Sequence, residues 1–550
     1  ASYKDGTMIF AQNKDQNANI VVHGTLNVAP GGTYLDGMPT EVGGRTVLNV
    51  AKVKEARGFD IGTHTIKIVA DGDIAVGPTG VLRTPMEKLA PKTDGTVGAE
   101  AFSIEGASKE RESVISLRAD QNADDVANVD EAIKTAAGGT YGKPTTYAST
   151  SRGVSGSAGQ FKTAKVYLNN NTLIKSQNVG VYYDADIVGG INGTSVADIG
   201  VSGSRETVFT AKDATRYASE AAAYRGKVCQ SGILSQTYAM LVNSPYQLQA
   251  MQDTPAIATE KGFAAANHYG NLGGVYALGT AMMMADTKNW NGGKGFDSLG
   301  SDAHPFTGGF TGHGGSNGYG VYDLFIRRDD RVGLFAVAQG AHLWSVGVID
   351  ANITGKNYVG SVAGLARDGA WLDGVTARKR IAKADGAASK TNRQNNVTGE
   401  MYVGGLVGAM QNSSLRYGTN ASQVAATGAQ QYVGGLTGAA SGMKAGMEKT
   451  VEGSRNTAYL MNMNDGEAAG ALMNEYGKVT GGTSVGGLVG AAGHTSAGTA
   501  VAAHIDESYN NGTVNGTTDV GGLVGTMETN SNLKNSYNTN ERSALTPSSV

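Results

Sequence analysis

Cysteine is all but absent: the 550-residue chain has one, Cys229, so no intramolecular disulfide can form. An exported protein of this size must then be held by its backbone ladder and its core. Proline is scarce at 10 residues, and charged residues make up 17% of the chain, below an average of about 25%. The 45 basic and 48 acidic side chains leave a formal charge of −3 and are scattered. With no basic stripe to displace phosphate counterions, nucleic acid is not an expected partner. The densest basic run, Arg378-Lys379-Arg380, reads as a solvated loop. Long apolar runs are missing too. The nearest, Val275 to Ala285, falls well short of the ~18 residues of a membrane span. No leader precedes Ala1, as expected of a mature exported form or of a fragment.

What the chain has in excess is glycine, 81 residues of it, with Asn, Ser and Thr filling the gaps between short apolar runs. Glycine inside a helix costs about 1 kcal/mol relative to alanine, so this mix suits tight turns rather than helical bundles. A hydrophobic content of 40% argues against disorder. Strand signals are short, β-branched and closed by Gly or Asp-Gly. Asn19 to Val28 shows this, as does His64 to Ala70 before Asp71-Gly72-Asp73.

One phrase returns through the second half. Val403-Gly404-Gly405-Leu406 reappears as Val433-Gly434-Gly435-Leu436, Val485-Gly486-Gly487-Leu488 and Val520-Gly521-Gly522-Leu523. Looser copies precede it at Val332-Gly333-Leu334-Phe335 and Val359-Gly360-Ser361-Val362. A phrase recurring every few tens of residues marks one structural unit stacked many times. Its spacings run 27, 44, 30, 52 and 35 residues, which a parallel coil tolerates because extra residues loop out at its corners. The reading is therefore all-β: a parallel β-helix with loop insertions, each turn giving one strand to each of two or three sheets. Val and Leu of the phrase would point inward, and its glycines would allow close backbone approach or positive φ. Asn510 and Asn538 are expected to form side-chain ladders. At ~25 residues per coil the rod would have roughly 20 coils and be about 100 Å long.

Organisation follows from these signals. Residues 1–99 and 160–250 read as coils, and 100–159 as an insertion or lateral loop with a short acidic helix from Asp120 to Lys134. Thr210 to Lys227 carries a weak helical signal. Residues 251–330 lead into the repeats and 331–550 hold them. Tyr537 stands 13 residues before Val550 as Tyr509 stands 11 before Val520, so the coil series is expected to continue past Val550.

From Tyr238 on, the order of motifs resembles filamentous-haemagglutinin-like secreted bacterial surface proteins with GLUG repeats. The resemblance rests on Tyr238 to Ala250, Tyr276-Ala277-Leu278, Asn289-Trp290-Asn291-Gly292-Gly293, Pro305 to Phe310 and Leu324-Phe325-Ile326. The four Val-Gly-Gly-Leu phrases look like the GLUG motif. Ser508-Tyr509-Asn510 and Ser536-Tyr537-Asn538 look like the strand before it. Phe310-Thr311-Gly312 departs from the family's Phe-Asp-Gly, and the Asn-Pro-Asn signature of its secretion domain is missing. The resemblance implies a right-handed coil, an extracellular or cell-surface location, and an outer-membrane transporter as the export partner.

Candidate chemistry is thin. Gly292 to Leu299 fits a calcium β-roll repeat, but one copy lacks the second turn whose aspartates would close a site. GLUG repeats also occur in some bacterial immunoglobulin proteases. Zinc protease chemistry needs two histidines one helical turn apart, and His23, His64, His268, His304, His313, His342, His494 and His504 are never so spaced. Gly482-Thr483-Ser484-Val485-Gly486 matches a nucleophile elbow but overlaps a repeat phrase, where no strand-to-helix turn is expected. Asp124-Asp125 and Asp329-Asp330 are carboxylate pairs that would need a shared groove to cleave a glycoside; solvated loops are the plainer reading. No catalytic residue, cofactor or metal is assigned. Trp290, Trp344 and Trp371, with 23 tyrosines, are material for a sugar- or protein-binding surface, Trp344 being as well suited to the core.

The expected function is a non-enzymatic surface adhesin or stalk segment whose partner is a protein or glycan on a host or neighbouring cell. Alternatives are a self-assembling filament subunit with end-to-end or lateral homotypic contacts and, third, a polysaccharide-acting β-helix enzyme. The stretches 100–159, 369–400 and 441–482 are the expected contact loops.

Overall fold

The repeat phrase sits where the chain turns from one short strand into the next. In the computed structural model Met401–Gly404 ends one strand and Val407–Gln411 begins another, with Gly405-Leu406 as the bend between them. The structure describes short segments between residues 6 and 257, then 270–539 except 314–318, 380–394, 430, 459–475, 496–498 and 529. Residues 121–134 with Asp124 and Asp125, the 210–227 stretch, Cys229 and Val550 lie outside the described residues.

The architecture is a parallel β-helix. One coil shows the plan: strands His342–Trp344, Gly347–Ile349, Asn352–Thr354, Asn357–Val359 and Ala363–Arg367 follow one another. Trp371–Asp373 then lies in register on His342–Trp344, and the next coil begins. From Gly320 on, each coil thus feeds five parallel sheets in turn. The first, or long, sheet has 13 strands and runs from Gly6–Ala11 to Asn532–Lys534. The second has 8 strands, and the third, fourth and fifth have 6 each. Nearer the N-terminus, strands such as Ile74–Val76 and Val166–Asn169 stack in a separate sheet that the antiparallel pair Tyr34–Val42 and Arg45–Arg57 extends.

Between Thr65 and Lys175 each turn gives one strand to each of three sheets, as expected, whereas five strands per turn from Gly320 on is a correction with a conformational cause. Each side of the coil is broken by residues in the left-handed region, and most are not glycine. Ser345, Tyr417 and Glu507 turn the chain from the first sheet to the second, with φ of 48–53°. Asp323 and Asp350 do so after the second, while Asp368, Asn412 and Asn530 precede the return to the first. By contrast, none of the glycines at positions 404, 405, 434, 435, 486, 487, 521 or 522 has positive φ. They are there for room. A Cβ on Gly434 would lie 2.0 Å from the Thr437 carbonyl, and one on Gly435 would lie 2.1 Å from the Gly487 carbonyl of the next coil.

Uneven phrase spacing has the expected origin. Leu343, Leu372, Leu415, Val451, Ile505 and Leu533 are stacked partners on the long sheet although 28 to 54 residues separate successive members. The extra length enters at corners: residues 380–394 and 459–475 between the second and third sheets, and 442–450 between the fifth and first.

The interior is a column of small layers. Val403, Leu406, Val433, Leu436, Val485 and Leu488 are fully buried, each side chain contributing about 1.5–3 kcal/mol by leaving water. In the last described coil, Val520 is 45% exposed and Leu523 half-buried. Polar ladders run beside the aliphatic column. Asn420 Nδ2 donates to Asn456 Oδ1 at 2.8 Å, Asn456 to Asn510 at 2.7 Å, and Asn510 to Asn538 at 2.8 Å. One residue earlier but one, the Ser454, Ser508 and Ser536 hydroxyls accept from the backbone N–H of Gly418, Ser454 and Ser508. Residues Val114–Ala119, placed by the sequence reading in a lateral insertion, instead form a strand of the long sheet. Their alternation is the reason, since Ile115, Leu117 and Ala119 all face the core.

Candidate functional site

On the long sheet, side chains alternate between core and outside. Leu343, Leu372 and Leu415 point in, which turns His342, Trp344, Trp371, Asp373 and Arg416 outward. The 29-residue step between coils brings Trp371 onto His342 in register. The rings then stack. His342 lies 4.5 Å from Trp344 and 4.3 Å from Trp371, centroid to centroid, at 21° and 5°. Arg416 continues the pile, its guanidinium 5.6 Å over Trp371 and 5.0 Å over Tyr417. Asp373 accepts from Arg416 at 3.3 Å and orients it. Space for the first indole comes from Gly309, opposite His342 in the preceding coil, where a Cβ would approach Trp344 Cζ3 to 3.1 Å.

The electrostatics are close to neutral. Burial among the rings pushes His342 down to about 4, outweighing the upward pull of Asp373, and Lys444 adds to the fall. The imidazole is therefore uncharged at neutral pH, and Arg416 is paired. Trp371 Nε1, His342 Nε2 and Arg416 Nε have no hydrogen-bond partner among the described residues. Tyr417, at the end of the stack, is 56% exposed. The 442–450 loop borders the stack, because Lys444 N donates to Ser414 Oγ at 3.1 Å and that hydroxyl donates to the Lys449 carbonyl at 2.7 Å.

A second aromatic column lies on the fourth sheet. Tyr358, Tyr402 and Tyr432 stack at 4.8 and 5.0 Å, and His494 caps Tyr432 at 4.2 Å. His494 Nε2 lies 3.2 Å from the Tyr402 hydroxyl and Nδ1 3.5 Å from Glu528. Beneath these rings are Val337, Leu365, Ala409 and Ala439 on the outer face of the fifth sheet. Tyr402 is only 6% exposed, so this column packs as a satellite core.

The remaining candidates disperse. Trp290 packs on Tyr246 at 4.7 Å, away from the other two tryptophans. The Asp297 carboxylate of the single β-roll match faces Arg328 at 3.4 Å and Gln252 at 3.3 Å. Among the described residues no three His, Cys, Asp or Glu side chains converge as metal ligands would. Ser484 lies within a strand, its hydroxyl 2.9 Å from that of Thr526. Asp330 pairs with Arg331, and Asp329 with Lys356 at 3.2 Å. Arg378 corrects the solvated-loop reading: it ends a strand and is 3% exposed. Sequence reasoning singled out Trp344 and Trp371 but missed Asp373, Arg416, Tyr417 and the role of His342. A signal existed, since His342 and Trp371 are 29 residues apart, close to the 27-residue step from Val332 to Val359.

No family model and no curated protein matches this chain. Among solved structures, the crystal structure of a "putative immunoglobulin A1 protease" from Bacteroides ovatus is similar at 15% identity, with a TM-score of 0.34. The alignment covers 55% of this chain and 75% of that one, and at such a score the likeness carries no functional argument.

Proposed function

We propose that this chain is a stalk segment of an exported, non-enzymatic surface adhesin of the filamentous-haemagglutinin-like, GLUG-repeat kind. The observation that carries the reading is the outer face of the long sheet. Trp344, Trp371, Arg416 and Tyr417 stand there in one stack, and Trp, Tyr and Arg are the side chains enriched at binding hot spots. They are mounted on a hydrogen-bonded ladder, which holds a contact surface with little further ordering cost. The phrase order from Tyr238 onward supports the same assignment and, with it, export to the cell surface.

The test is binding of the labelled chain to cultured epithelial cells and to bacterial cells, with electron microscopy across the same concentration range. Saturable binding by isolated rods is expected. Absence of binding to any cell, together with fibres that lengthen with concentration, would replace the adhesin by a self-assembling filament.

A further inference from the structure

We infer that the Trp344–His342–Trp371–Arg416–Tyr417 stack is a binding site for a neutral oligosaccharide, an inference that rests on the adhesin reading. Footprint is the first argument. The stack spans three coils, about 10 Å at the spacing of paired strands, and two residues along each strand, about 7 Å. That area suits a few sugar rings. It is far below the roughly 800 Å² per partner of a stable protein interface.

Chemistry is the second argument. A saccharide presents apolar C–H faces flanked by hydroxyls that both donate and accept, and a matching site pairs aromatic surface with a few fixed polar groups. Here the aromatic surface is the exposed Tyr417 phenol together with the half-buried edges of two indoles that stack on His342. The fixed groups are the Asp373 carboxylate, an acceptor, and the Arg416 guanidinium it orients, a donor. Trp371 Nε1, His342 Nε2 and Arg416 Nε are buried without partners among the described residues.

Charge decides between neutral and acidic sugars. Arg416 is neutralised by Asp373, and His342 stays uncharged. Asp373 and Glu452 lie in register on either side of Arg416, and with Lys444 as the second cation the face carries no net charge, so the complementarity favours a neutral chain.

The experiment uses the full chain on a panel of immobilised neutral oligosaccharides (glucans, galactans, mannans and xylans) with their sulfated counterparts, and tryptophan fluorescence in solution. Binding to at least one neutral class is expected, with at least tenfold loss in Trp371→Ala and in Arg416→Gln. Trp371→Phe should retain most of the affinity, and melting of each variant reports whether it folds. Binding confined to sulfated glycans, binding unchanged in Arg416→Gln, or no glycan binding at all overturns the site. Cell binding separates the two readings. A chain that binds cells equally well with and without Trp371→Ala keeps its adhesin function and loses this site. A chain that binds neither cells nor glycans loses both.

Discussion

Asn456 donates to Asn510 across 54 residues of sequence, at 2.7 Å and out of reach of water. The same side chain accepts from Asn420 at 2.8 Å and donates to the Gly477 carbonyl at 2.7 Å. Three coils are therefore tied by one amide in the interior. Asn456→Ala should leave partners in all three coils unsatisfied, at about 1–3 kcal/mol for each buried group. Solenoid coils interact mainly with their neighbours, so the loss should be local before it is global. Hydrogen exchange should accelerate in the segments around Asn420, Asn456 and Asn510 and stay unchanged near Leu343. Uniform acceleration along the chain would contradict the ladder as a local tie.

The second glycine of each phrase is the ladder's complement. A Cβ on Gly435 would lie 2.1 Å from the Gly487 carbonyl and 2.4 Å from Asn456 Cγ, and neither can retreat within a packed coil. Gly435→Ala should therefore cost at least the 1–3 kcal/mol typical of overpacking. Gly446 provides the contrast: its φ is +82°, yet nothing lies within 4 Å of the Cβ position. Gly446→Ala should carry only backbone strain, about 1 kcal/mol. Chemical denaturation of the two variants ranks crowding against φ, and equal losses would mean that the phrase glycines serve conformation after all.

This pairing explains what was legible beforehand. The phrase and the Ser-Tyr-Asn strand announced a stacked coil, and Asn510 and Asn538 announced a ladder, because identical residues recur there. Asn420 and Asn456 follow Thr419 and Arg455 instead of Tyr, so their membership needed the register itself. Corners held by Ser345, Tyr358 and Tyr402 were invisible because those residues rarely take positive φ, and the context overrides their preference. The aromatic stack was half legible: two tryptophans were flagged, but their neighbours depend on how many residues each coil consumes.

Arg118 should prove a structural keystone between the coils near residue 115 and those near 280. Its guanidinium reaches Asp120 at 3.1 Å and the Gly279 carbonyl at 2.7 Å, and Asp120 also accepts from Asn243 at 3.0 Å. Asp120 is 3% exposed. Arg118→Ala would strip a buried carboxylate of its countercharge, a change that costs about 3–5 kcal/mol. The double variant Arg118→Met, Asp120→Leu removes both charges and should recover most of that loss. Thermal melting of single and double variants decides it, and a double variant no better than the single would mean the pair is not the stabilising unit.

His342 makes the stack sensitive to acid, with a sign that follows from its environment. Burial among the indoles holds it near 4, below the ordinary value of about 6.5, while Asp373 opposes the shift and Lys444 supports it. The unfolded chain therefore binds a proton at this site before the folded chain does. The contribution of His342 to stability is complete above about pH 6.5 and declines as pH falls towards 4. A shift of that size corresponds to at most about 3 kcal/mol, and to less for the solvent that still reaches the ring. Replacing His342 with Phe keeps an aromatic ring between the two tryptophans and removes the proton. Melting temperatures of the wild type and His342→Phe, compared at pH 7 and pH 4.5, should therefore diverge, with the wild type losing more. Equal losses in both proteins would place the acid sensitivity elsewhere and show that the imidazole is accessible enough to titrate as a free histidine does.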